Sequence, residues 1–401
     1  MKTSSKRIIL LGDGMPDEPI AELGGKTPLQ AANCPNMDRM AREGSTGLVK
    51  TVPEGFPPGS DVTNMGLLGY DPRRYYTGRA PLEAAGMGIE MGPQDVAYRC
   101  NLVTLLAGKE GVMMEDFSAG HIESGEAAEL IKALNEYFGV GDIRFYPGVS
   151  YRHLMIWEKG SEEAQTTPPH DITGQDIKEY LPKGEAGGRL RLITGEAQIV
   201  LKQHAVNKNK RSQGKSEANS IWLWGQGKAP TMPNLKESRG ISGAMISAVD
   251  LMNGIGVLAG MEVIKVEGAT GYIDTNYAGK ANAAINALKE KDLVFLHVEA
   301  PDEAGHSGSL ENKILAIEDF DEKIVGPLLE EIARIGGRAI VLSDHATPLS
   351  IRTHSSAPVP FAVWPGFGNG GGDGKAFDES LTEKPALSFN EGFLLFEKFI
   401  G

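Results

Sequence analysis

At 401 residues, with 41% hydrophobic and 23% charged positions, the chain can hold two domains, or one large α/β domain carrying an insertion, around a substantial core. A formal net charge of −13 argues against a long nucleic-acid surface or an anionic membrane partner, so an anionic small substrate would need a local cluster of Arg and Lys. Two cysteines, Cys34 and Cys100, in no CxxC or Cys/His pattern, argue against a structural zinc site and fit buried thiols in a reducing compartment.

The first eight residues are polar and basic, and the apolar run 8–11 is too short for a signal peptide or a membrane span, which leads us to expect a cytoplasmic protein. Short apolar runs follow at 102–105, 221–224, 263–266, 293–298, 339–342 and 359–363, alternating with helical patterns at 36–43, 126–138, 242–258, 280–289 and 311–335. The first two helices have stop signals in Gly44 and Gly139. This alternation predicts a mixed α/β chain with several parallel strands buried on both faces. No repeat at solenoid spacing and no long low-complexity tract is visible. The polar stretch 207–217 (NKNKRSQGKSE) and the turn-rich stretch 182–188 read as surface loops or a boundary. Metal-type ligands occur before residue 66 and again after 300. Residues 92–217 are therefore most simply an inserted domain, with 1–91 and 218–401 folding together as one discontinuous domain.

The ligands sit where such a sheet would build a site. Asp13 follows IILLG, Asp302 follows LVFLHVEAP, and Asp344 with His345 follows AIVLS, each just past the C-terminal end of a buried run. Singly, each has an ordinary alternative. Asp13 could belong to a plain turn, Asp302 and His306 to a surface i, i+4 pair, Asp344 to a cap, and His354 in RTHSSAP to a loop. Jointly, carboxylate and imidazole ligands in two clusters suit borderline divalent ions such as Mn²⁺ or Zn²⁺ acting on one phosphoryl-sized substrate. Ser60, in PPGSDVTNMGLLGYDP, reads as a helix N-cap. A serine there also lies beside free backbone N–H groups, and a bound divalent ion would lower the pKa of its hydroxyl.

The motifs LLGDGMPD, PPGSDVTNMGLLGYDP, EAPDEAGHSG, LSDHATP and RTHSSAPVPF resemble, in order, those of the cofactor-independent phosphoglycerate mutases, in particular the archaeal-type branch within the alkaline phosphatase superfamily. The resemblance runs from residue 8 to 361. It implies an alkaline-phosphatase-like doubly wound sheet with helices on both faces and an inserted smaller α/β domain that binds substrate and closes as a lid. It also implies Ser60 as the phosphoserine nucleophile, one ion held by Asp302, His306 and His354, and another by Asp13, Ser60, Asp344 and His345. Two divalent ions are implied, Mn²⁺ by expectation, with Mg²⁺, Co²⁺ or Zn²⁺ compatible with the ligands. The implied reaction interconverts 2-phosphoglycerate and 3-phosphoglycerate, in glycolysis or gluconeogenesis, without bisphosphoglycerate. The partner would be a small phosphorylated substrate, with no nucleic acid and no membrane; the oligomeric state is not readable.

Candidate contacts fall on both sides of the expected boundaries. His121 in FSAGHIES resembles the histidine that contacts the phosphoserine, or is a cap-region histidine. His170 and Asp171 form an acid/base pair or an Asx-capped turn. Arg152 and His153 lie in an alternating strand pattern, and Arg79 and Lys228 are candidates for a carboxylate or phosphate, or plain surface charges. The arginine-rich signatures of the bacterial branch are absent and the insertion is shorter, so a metal-dependent phosphohydrolase and a homoserine-kinase-like phosphotransferase stay as alternatives. A non-enzymatic metal-binding module would have no need of Ser60.

Overall fold

The computed structural model describes residues 6–108, 111–139, 141–367, 376–383 and 385–401. Its strands, in chain order, are β1 (Arg7–Gly12), β2 (Ser45–Val49), β3 (Val96–Ala107), β4 (Val112–Asp116), β5 (Ile143–Tyr146), β6 (Arg152–Trp157), β7 (Ser220–Gly227), β8 (Gly243–Ile246), β9 (Glu262–Val263), β10 (Leu293–Val298), β11 (Arg338–Leu342), β12 (Val359–Trp364) and β13 (Leu387–Phe389). The chain divides into two compact units, residues 1–76 with 231–401, and residues 77–230.

The first unit is built on an eight-stranded sheet of order β13-β2-β12-β11-β1-β10-β8-β9. Its centre is parallel: β1 pairs with β10 on one side and β11 on the other, and β10 pairs with β8. Only a strand covered on both faces can be apolar along its whole length. All six residues of β10 and five of six in β1 are buried. The alternation of side chains sends Ile8 and Leu10 into one core with the helices Pro35–Glu43, Leu310–Phe320 and Gly326–Ile335. Ile9 goes the other way, into a cluster with Leu67, Leu395, Phe396 and Phe399 from the helices Ser60–Leu67 and Gly392–Ile400. Each such buried side chain stabilises the fold by about 1.5–3 kcal/mol. The sheet therefore has helices on both faces, as its unbroken apolar runs require.

The second unit is antiparallel. β3 pairs with β4, β6 and β7, and β5 pairs with β6. The helices Ser124–Phe138 and Gly187–Gln203 bury Leu130, Ile131, Leu134, Leu190 and Ile193 with Tyr98, Cys100 and Leu102 of β3. This unit begins at Thr77 and ends at Pro230, wider on both sides than 92–217. The cause is packing: β7 is a full partner of β3, and the helix Arg79–Gly86 buries Ala80 and Ala84 against Ala97, Leu154 and Ile156.

Three sequence expectations change. Residues 242–258 are not one helix but β8 followed by the helix Asp250–Leu258, because four buried residues at 243–246 take a sheet position beside β10. A short apolar run does not show its own period. Residues 207–217 are not simply a loop. The helix Ala205–Ser212 covers their first half, and Asn207 is wholly buried, donating from Nδ2 to Leu201 O (2.9 Å) and Ala218 O (2.8 Å). The run at 263–266 forms only the two-residue β9.

Candidate metal centre

Three adjacent parallel strands, β11, β1 and β10, end side by side, and the residues following them converge. Asp13 follows β1 and Asp344–His345 follow β11; all three are wholly buried. Beyond β10, the helix Ala300–Ser307 carries Asp302 and His306 on one face, four residues apart. His354 lies on the chain between β11 and β12. Ser60 is the first residue of the helix Ser60–Leu67, with Gly59 rather than Ser60 at the N-cap, so its hydroxyl is released from capping. Ser60 Oγ instead lies 3.1 Å from His345 Nε2.

The same helix braces the site from positions three and four residues on. Asn64 Nδ2 donates to Asp344 Oδ2 at 2.9 Å and Thr63 Oγ1 approaches it at 3.3 Å. From the other side, buried Lys313 donates to Asp17 Oδ2 and Thr347 O, both at 2.7 Å, pinning the turn after His345. At Gly14, φ is +61°, and a Cβ would come within 2.6 Å of Thr347 Oγ1 and 2.8 Å of Asp302 Cα. No larger residue fits between the ends of β1 and β10.

The hydrogen bonds assign the imidazole tautomers. Thr347 Oγ1 donates to Asp302 Oδ1, so it accepts from His345 Nδ1 (3.2 Å) and leaves the lone pair of His345 on Nε2. That atom is 3.3 Å from Asp344 Oδ2 and 3.5 Å from Asp13 Oδ1. His306 Nδ1 faces Arg352 O at 3.0 Å and His354 Nδ1 faces Pro58 O at 3.4 Å, and both contacts direct Nε2 inward. The two Nε2 atoms lie 3.0 Å apart, with Asp302 Oδ2 3.1 Å from that of His306. Second nitrogens held by carbonyls and hydroxyls are how ligand histidines are oriented.

Such a convergence of lone pairs and carboxylates is unfavourable unless a cation or protons share it. Burial, then the neighbouring Asp344 and Glu299, push the Asp13 carboxyl well above the usual range, and Asp13 Oδ1 is buried with no hydrogen-bond partner among the described residues. Burial disfavours a proton on His306, but Asp302 outweighs it and raises the ring to about 9. That proton is held by the carboxylate an ion would take, so ion binding must release it. His354 is held down to about 4 by burial and by His345. The donor set, oxygen and imidazole in two adjoining groups (Asp302, His345, His354 and Asp13, Asp344, His345), fits borderline divalent ions. His345 is common to both groups.

Four nearby residues escaped the sequence reading: His297, Glu299, Thr347 and Asn64. His297 and Glu299 form a third potential group with Asp13. A histidine inside the apolar run LVFLHV was the available signal, and Asn64 stands one helical turn after Ser60.

The candidates in the second unit are more scattered. Arg79 Nε pairs with Glu83 Oε1 at 3.0 Å, and Glu83 Oε2 pairs with Arg99 Nε at 3.0 Å. Arg99, also not foreseen, is buried, and its guanidinium lies 4.4 Å from the Trp224 ring centroid. Arg152 is near enough to help Arg99 and Arg79 lower the Glu83 pKa against its burial. His153 is buried, accepts from Gly148 N–H on Nδ1 (3.0 Å) and is pushed down to about 3 by burial. That suits a neutral internal ring better than a solvent-facing contact. His121 is exposed, in left-handed backbone (φ 49°) just before the helix Ser124–Phe138. His170 Nε2 lies 3.6 Å from Asp171 Oδ1, and half or more of each side chain is exposed. Burial raises the Asp171 carboxyl. Lys228 pairs with Glu162 at 3.0 Å at the surface. No helix among the described residues is long and apolar enough to cross a membrane.

Residues 41–207 match the family described as 2,3-bisphosphoglycerate-independent phosphoglycerate mutase. A protein of Geobacter sulfurreducens named as a probable member of that family is 54% identical, over 98% of this chain and 99% of its own. Among solved structures, a protein of Pyrococcus horikoshii superposes with a TM-score of 0.82 at 28% identity, covering 98% of this chain and 97% of that one. A cofactor-independent phosphoglycerate mutase of Thermoplasma acidophilum gives 0.64 at 26% identity, covering 99% and 100%.

Proposed function

The chain belongs to the 2,3-bisphosphoglycerate-independent phosphoglycerate mutase family, and from that premise we propose that it interconverts 2-phosphoglycerate and 3-phosphoglycerate through a phosphoserine at Ser60. The observation that carries this reading is the Ser60 hydroxyl, 3.1 Å from His345 Nε2 among buried carboxylates at three neighbouring strand ends. Asp302, His306 and His354 would hold one divalent ion and Asp13, Ser60, Asp344 and His345 another, Mn²⁺ being the expected metal. Bound there, such ions neutralise phosphoryl oxygens and lower the pKa of the serine hydroxyl.

In the forward half, Ser60 Oγ gives up its hydroxyl proton and forms a bond to phosphorus as the bond to the glycerate oxygen breaks, and that oxygen takes up a proton. Asp171, its carboxyl raised by burial, and His121 are the groups proposed to carry protons. The glycerate then presents its other hydroxyl, which loses its proton as it takes the phosphoryl group from the phosphoserine, and Ser60 Oγ regains a proton. Arg79, Arg99 and Arg152, gathered near Glu83, are suited to an anionic substrate, with His170 and Lys228 as further proposed contacts. Residues 77–230 are proposed as the unit that retains glycerate and keeps water from the phosphoserine, the protein working in the cytoplasm.

The test is a coupled assay with 3-phosphoglycerate, with and without Mn²⁺ and without bisphosphoglycerate, run beside a free-phosphate assay. Formation of 2-phosphoglycerate is expected. Phosphate release without it would overturn the mutase reading in favour of a hydrolase.

A further inference from the structure

His297 interrupts the apolar strand β10 with a wholly buried ring. Burying an imidazole costs desolvation of both nitrogens unless each finds a partner, and here each does. Nδ1 lies 3.0 Å from Ser247 Oγ, just past the end of β8. Nε2 lies 2.8 Å from Asp13 Oδ2 and 3.3 Å from Glu299 Oε2. Nε2 faces the Asp13 and Glu299 carboxylates, which as anions only accept, so the ring N–H is on Nε2, and Nδ1 accepts the proton of Ser247 Oγ, which itself accepts the Val249 N–H at 3.1 Å.

The consequence falls on the two oxygens of Asp13. Oδ2 is engaged by His297, whereas Oδ1 is buried, has no hydrogen-bond partner among the described residues, and lies 3.5 Å from His345 Nε2. We propose that His297 is a positioning residue: through Nε2–H it holds Asp13 Oδ2 and so presents Oδ1 as the ligand oxygen to the ion of the Asp13, Asp344 and His345 group. The inference rests on the metal-dependent reading above. It differs from assigning a third ion to Asp13, His297 and Glu299. An N–H on Nε2 offers no lone pair there, and the buried Lys280, which donates to His297 O at 3.2 Å, brings its positive charge close to Glu299.

The chain is stripped of metal and titrated calorimetrically with Mn²⁺ alone, comparing wild type, His297→Gln and His297→Leu, with thermal melts of the metal-free proteins alongside. Gln can return an amide N–H near the position of Nε2, and Leu cannot. His297→Leu is expected to weaken one class of Mn²⁺ site by about 10–100-fold, with His297→Gln recovering most of the loss and the number of ions unchanged. Unchanged Mn²⁺ affinity in a folded Leu variant would overturn the positioning role. Loss of one equivalent of Mn²⁺ in both variants would overturn it too, making His297 itself a ligand. If His297→Leu does not fold, Ser247→Ala carries the test: it releases the tautomer and should weaken the same site, and an unchanged isotherm counts against the proposal. Absence of binding by wild type would instead remove the metal reading on which the inference stands.

Discussion

The two units treat their candidate site residues in opposite ways. In the unit of residues 1–76 and 231–401, Asp13, Asp344, His345 and His297 are wholly buried; Asp13, Asp344 and His297 are held by His297, Asn64 and Ser247, far away in the chain, and His345 by nearby Thr347. In the unit of residues 77–230, His170, Asp171, Lys228 and His121 sit at the surface, His170 paired with its neighbour Asp171 and Lys228 with Glu162. Among the candidate contacts of this unit, Arg99 and His153 differ in being buried in the sheet. The contrast shows where preorganisation lies. Charge-dense groups are held rigidly at strand ends, where desolvation makes each interaction strong, while the surface candidates remain adjustable at little cost in stability.

The sharpest way to break this contrast is at Ser60. Ser60→Ala should lower turnover by at least about 10³-fold while leaving Mn²⁺ binding measurable, because it removes the proposed nucleophile and only one of seven ligands. Turnover near wild type in the coupled assay would mean that the rigid centre is not the reacting one. Next is the close approach at Gly14. Gly14→Ala should cost about 2–4 kcal/mol in urea unfolding, from left-handed backbone and a Cβ driven against Thr347 and Asp302. A loss below about 0.5 kcal/mol would show that the strand ends yield more readily than their packing implies.

Within the second unit, Arg99→Met tests the buried exception. It leaves Glu83 with less compensation in a buried place and should destabilise by roughly 3–5 kcal/mol, read as a lower urea midpoint. If Arg99→Met and a surface change cost the same, the distinction between buried and exposed pairs in this unit fails.

His153 adds a pH signature. The unfolded ring protonates below about 6.5, whereas the folded ring resists to about 3. Between those values the unfolded chain binds more protons, so the contribution is full above about 6.5 and is lost as pH falls. From pH 7 to pH 5 the loss is about 2 kcal/mol, an upper figure. His153→Leu should flatten that part of the stability-against-pH curve, and an unchanged slope would show the ring to be solvated. The smallest effect is expected at Lys228. Its pair with Glu162 is half-exposed at the surface, and Lys228→Met should change stability by less than about 1 kcal/mol. A rise in KM without loss of stability would mark it as a substrate contact.

Much of the candidate centre was legible because Asp13, Asp302, Asp344 and His345 follow strands whose apolar runs are unmistakable. A carboxylate after IILLG or AIVLS has a place in the sheet before its neighbours are known. The second unit offered less: an arginine in a strand pattern reads the same whether it faces solvent or is buried on Glu83. Its edges were misjudged for the same reason, since the pairing of β7 with β3 joins residues more than a hundred positions apart.

By itself, the sequence determined the α/β class, most of the strands at the centre of the main sheet and the identity of the residues at their ends, because periodicity and local punctuation are written within a few residues. Only the tertiary structure decided which nitrogen of each histidine faces inward, that Ser60 is free of capping duty, and that His297 meets Asp13. Those outcomes depend on hydrogen bonds to Thr347, Arg352, Pro58 and Ser247, and a donor or acceptor has no direction until the fold has placed its partner.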